Sequence, residues 1–82
     1  MTLTLDLHPI FQSQRDVDQA VRSMMFRAAK SDVERVIIIP GKGSQKLKNR
    51  VLALLRQPHL KKLYKAVEPD PENLGRVIVR FR

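Results

Sequence analysis

A two-layer α/β sandwich is predicted, a mixed four-stranded sheet with both helices on one face, in the order β-α-β-α-β-β. Three observations predict it. Apolar and polar residues alternate near both ends of the chain, the period of a half-buried strand. A continuous β-branched run, Val36-Ile37-Ile38-Ile39, marks a central strand. Apolar stripes of helical period lie before and after that run. Right-handed crossovers through both helices then leave them on the same side of the sheet.

Thr2-Leu3-Thr4-Leu5-Asp6-Leu7-His8 sets Leu3, Leu5 and Leu7 against Thr2, Thr4, Asp6 and His8. This is the first strand, and Pro9 ends it. Ser13 with Asp16 is a capping-box-like helix start. Val17, Ala20, Val21, Met24, Met25, Ala28 and Ala29 follow as one apolar stripe, broken at Ser31-Asp32. The β-branched run is expected to be covered on both sides or nearly so. Pro40-Gly41-Lys42-Gly43 is a turn, and Ser44 is a natural N-cap for the second helix. Leu47, Val51, Leu54 and Leu55 give that helix its apolar side, and Pro58 stops it. Lys62–Val67 reads as a third strand and 68–73 as an acidic, Pro-rich hairpin loop. From Gly75 a fourth strand sets Val77, Val79 and Phe81 against Arg76, Ile78, Arg80 and Arg82.

The 82 residues make one domain, 1–82, with a thin core. There is no Cys, so neither disulfides nor a cysteine–zinc knuckle reinforce it. No apolar run reaches the roughly 20 residues of a membrane helix. Met1 to His8 lacks the basic and long apolar regions of a secretory signal. A cytoplasmic location is expected, and a membrane-surface role is disfavoured because the basic helix has no Trp or Phe on its apolar side. The Met1 start favours a stand-alone protein over an excised domain; the sequence is compatible with a monomer and leaves the oligomeric state open.

The formal net charge of +8 is concentrated in the middle. Residues 35–67 hold nine basic groups and no acid, whereas 1–34 sum to −1 and 68–82 to zero. A single-sign block that spans a loop, a helix and two strands points to a polyanionic partner. Its densest part is Lys42, Lys46, Lys48 and Arg50. The Gly41-Lys42-Gly43-Ser44 turn suits an anion, because glycine allows close backbone approach and a helix N-terminus follows. It is neither a P-loop nor a dinucleotide fingerprint, since the required glycine spacing is missing.

Asp6 and His8 leave the first strand at the edge where ligands bind in open α/β sheets, outside the strands' carboxyl ends. His8 could act as general base or acid on a phosphodiester, with Asp6 orienting it or holding a divalent cation. The competing reading makes both the polar side of a strand. No dedicated metal site is expected from two His and no Cys, and the need for Mg²⁺ or Mn²⁺ stays open. His59 reads as a surface residue. Tyr64 reads as a cover for the core edge, with stacking on a base as the alternative.

These residues resemble the small MutS-related (Smr) domain, and a stand-alone bacterial member of it. Leu5-Asp6-Leu7-His8 is similar to the family's LDxH motif. Ile37-Ile38-Ile39-Pro40-Gly41-Lys42-Gly43 is similar to its strand and Gly-x-Gly loop, and Leu47-Lys48, Val51 and Pro58 to the stretch that follows. The likeness runs from Leu3 to Phe81. It implies the fold of the C-terminal domain of a bacterial translation initiation factor. It also implies nucleic-acid binding, with endonuclease activity in several members, some acting on mRNA at stalled ribosomes. The active site it implies comprises Asp6, His8, Gly41, Lys42 and Gly43. Two positions depart from the pattern: Pro9 stands where Gly is usual, and Pro40 where His or Thr is common. The expected function is thus an RNA- or DNA-binding domain with endonuclease activity. The alternative is a non-catalytic module that binds nucleic acid or the ribosome. The backbone grip comprises Gly41, Lys42, Gly43, Ser44, Lys46, Lys48 and Arg50.

Overall fold

The computed structural model describes residues 1–10, 13–41, 45–73 and 75–82. The elements run β1 (Thr2–Asp6), a 3-10 turn (His8–Ile10), α1 (Gln14–Lys30), β2 (Arg35–Ile39), α2 (Gln45–Leu55), a short α3 (Pro58–Lys61), β3 (Ala66–Pro69) and β4 (Val77–Arg80). The strands form one sheet in the order β1-β2-β4-β3. β1 and β2 are parallel, and β4 lies antiparallel to both β2 and β3. The predicted mixed sheet, with its helices packed on one face, is therefore the fold.

Alternation along the strands decides which face is covered. Val36 and Ile38 of β2 and Val77 and Val79 of β4 are buried against the helices. Val17, Val21, Met25 and Ala28 of α1 and Leu47, Val51, Leu54 and Leu55 of α2 complete that layer. Opposite them, Thr4, Ile37, Ile78 and Glu68 form one row across the open face. Ile37, Ile39 and Ile78 are only half-buried there. The β-branched run is thus fully covered on one side, not on both, because every helix went to the other side.

Four local differences from expectation have local causes. β1 ends at Asp6, because the Asp6 Oδ1 accepts the main-chain N–H of His8 at 2.9 Å. An Asx turn of this kind draws the backbone away from the ladder. Ile10 N–H then bonds to the Leu7 carbonyl at 3.0 Å, so His8 sits in a 3-10 turn beyond the strand. Pro58 does more than stop α2: it opens α3 as its first residue, where its missing N–H costs nothing. α3 exists to seat Leu60, which is fully buried.

The third strand starts later than the sequence pattern predicts, at Ala66, because α3 and the turn after it use the preceding residues. The Leu63 N–H to Leu60 carbonyl bond closes that turn. β3 then runs into the predicted loop as far as Pro69, which an edge strand tolerates. The fourth strand starts at Val77 because Asn73 takes the N–H groups of both Gly75 and Arg76.

α1 begins as expected, with the Ser13 Oγ accepting the Asp16 N–H at 3.2 Å. α1 and α2 are joined by a forked ion pair. Arg50 donates from Nε to Asp18 Oδ1 at 3.0 Å and from Nη2 to Oδ2 at 2.8 Å.

A domain of this size has a total stability of roughly 4–12 kcal/mol. Leu60→Ala is expected to cost about 2–5 kcal/mol, the usual range for emptying a buried leucine site. Urea denaturation monitored by circular dichroism measures it.

Candidate nucleic-acid interface

The register of β1 on β2 brings two chain exits together. Asp6 pairs with Ile39, and the Leu7 N–H bonds to the Ile39 carbonyl at 2.9 Å. Both chains leave the sheet from that point, one into the His8 turn and the other through the buried Pro40 into Gly41. A Cβ placed on Gly41 would lie 3.9 Å from Cδ2 of His8. The imidazole and the start of the glycine loop are therefore neighbours across the edge.

Gly41 has φ +116°, a conformation that side chains rarely adopt. The space around it would accept a methyl group, so the backbone angle is what demands glycine. His8 is exposed, and so is Asp6. Asp6 acts on His8 through the main chain: its carboxylate fixes the turn that carries the imidazole. Pro9 suits that turn, because the Leu7–Ile10 bond spans it and needs no donor at position 9.

Lys46 is exposed on the first turn of α2, Lys48 is half-buried, and Arg50 is held by Asp18. Arg56, Lys61, Lys62 and Lys65 are exposed beyond them, and His59 is exposed on α3. Lys42, Gly43 and Ser44 lie outside the described residues. The site residues thus fall into two groups. Asp6, His8 and Gly41 meet at the sheet edge, whereas Lys48 and Arg50 lie further along α2. Among the described residues, no group of three or more His, Asp or Glu is placed to hold a metal ion.

The family model of the Smr domain matches residues 5–82. The chain belongs to the Smr domain family. No curated protein and no solved structure gives a significant match. Membership implies nucleic-acid binding, and the two motifs that carry the family likeness, LDxH and the Gly-x-Gly loop, are the ones whose described residues adjoin here. Among the described residues, no helix of this Smr domain is long and apolar enough to cross a membrane.

Two features of the domain were not foreseen from its sequence. One is the Arg50–Asp18 fork; its signal is that each partner sits next to a core valine, Val51 and Val17, and so flanks the helix–helix contact. The other is the setting of Tyr64. Its hydroxyl donates to the Leu55 carbonyl at 2.7 Å, at the end of α2. Burial pushes the Tyr64 phenol above its ordinary pKa, an effect that the nearby Arg56 charge partly offsets.

Two expectations follow. Gly41→Ala should cost about 1–3 kcal/mol, the strain of forcing a side chain into that backbone region, read from the shift of the urea midpoint. Arg50→Ala should lower stability by about 1 kcal/mol, since a partly exposed forked pair is only moderately strong. A double-mutant cycle with Asp18→Ala isolates that coupling.

Proposed function

We propose that this Smr domain binds nucleic acid through the basic side of α2 and the Gly41–Gly43 loop and cleaves a phosphodiester at His8. The observation that carries the reading is the adjacency of His8 and Gly41 at the carboxyl ends of two parallel strands. The N-terminus of α2 and Lys42, Lys46 and Lys48 attract the phosphate backbone. His8 takes the proton from the attacking oxygen, a ribose 2′-hydroxyl or a water, or gives one to the leaving oxygen. Asp6 holds the turn that presents the imidazole, and Gly41 admits the phosphate close to the backbone.

Binding without cleavage is the second reading, and one observation favours it. Pro40 is buried and offers neither hydroxyl nor imidazole where the family commonly has Thr or His.

The test compares purified protein and variants on single-stranded RNA, duplex DNA and supercoiled DNA, with and without Mg²⁺ or Mn²⁺. His8→Ala is expected to abolish cutting while leaving affinity nearly unchanged. A His8→Ala protein that cuts at the wild-type rate rejects the catalytic role. Lys42→Ala and Lys46→Ala should each reduce the slope of log affinity against log salt by about 0.7–0.9. Tight, salt-sensitive binding with no cutting under any condition supports the second reading.

A further inference from the structure

A concave feature lies away from the His8 edge, between α2 and the β3 edge strand. It is a groove of about 380 Å³, in the range of small-ligand sites. Leu52, Val67 and the Tyr64 ring are among its apolar lining, and Lys48 and Arg56 add positive charge. The Tyr64 ring is anchored by its bond to the Leu55 carbonyl, so it is presented in one orientation. Lys48 and Arg56 are separated by eight positions, about 12 Å along a helix axis.

An apolar slot with an aromatic wall and cations on its helix side has the chemistry for a flat ring carried on a polyanion. The ring faces pack on aliphatic and tyrosyl surface, and the cations meet the phosphates on either side. A fatty-acyl chain would not use the anchored aromatic ring. We propose that this groove is a base-binding subsite, which takes one unstacked nucleobase of a bound single strand while Lys48 and Arg56 engage the flanking phosphates. This rests on the nucleic-acid reading above and adds the form of the ligand, a single strand with a base turned out.

The test uses two single-stranded DNA oligomers of equal length, one of thymidylates and one wholly abasic, which carry the same backbone charge. The thymidylate oligomer is expected to bind at least about fivefold more tightly, the low end of what one stacked base contributes. Photocrosslinking with 5-iodouracil in place of thymine, read by mass spectrometry, should map to Tyr64 or its neighbours on β3 and α2. Arg56→Glu alters an exposed side chain and should weaken binding of the thymidylate oligomer and reduce that crosslink. Leu52→Glu should remove the preference over the abasic strand. Equal affinity for the two oligomers, or crosslinks confined to other parts of the domain, overturns the subsite while leaving electrostatic binding intact. If neither oligomer nor RNA binds at low salt, the nucleic-acid reading fails and the subsite fails with it.

Discussion

The parallel pairing of β1 with β2 is the constraint on which the rest of the molecule depends. A parallel pair needs a crossover, and α1 supplies it. The same crossover sends both strands out at one edge, with Asp6 opposite Ile39. Had β1 joined the sheet antiparallel, His8 and Gly41 would lie at opposite ends of a strand of five residues. The neighbouring positions of the imidazole and the glycine loop are therefore a consequence of topology. Local hydrogen bonds only refine them, by turning His8 out of the strand and Gly41 into a conformation closed to other residues.

Covering one sheet face also governs where the charge can go. α1 and α2 use their apolar sides on the same layer, so their polar sides remain on the surface. Lys46 on α2 and Arg56 just after it stay in water. Arg50 is the exception, because its neighbour Val51 takes it to the seam with α1, where Asp18 receives it. One cation of the basic block thus ties the layer together while its neighbours remain on the surface. Self-repulsion within the block opposes folding, and the small core bears that cost.

Much of this was legible in the sequence because the signals were periodic. Alternation located β1 and β4, the helical stripes located α1 and α2, and the β-branched run located β2. The LDxH and Gly-x-Gly motifs, together with the parallel pairing, put Asp6, His8 and Gly41 at one edge. What was not legible depended on local competition for hydrogen bonds. The Asp6 side chain offers His8 a partner that the strand pattern does not reveal, so β1 looked two residues longer. Pro58 reads equally as a stop and as a first helical residue, and only the burial of Leu60 decides. The shift of β3 follows from α3 and was hidden with it.

The half-covered sheet separates two kinds of chemistry along α2. At its N-terminal side lie the edge residues, the exposed His8 beside Gly41. At its C-terminal side lies a groove with an apolar floor, which a phosphate alone has no reason to enter. A strand that reached both would be fixed by a base at one place and presented by its backbone at the other. Electrostatic contacts alone leave a strand free to slide, since every phosphate is equivalent. A base held in the proposed subsite would break that equivalence and set which phosphate stands before His8. The physical link between the two sites is α2 itself, an 11-residue helix whose Val51 is fully buried and whose Arg50 is tied to Asp18.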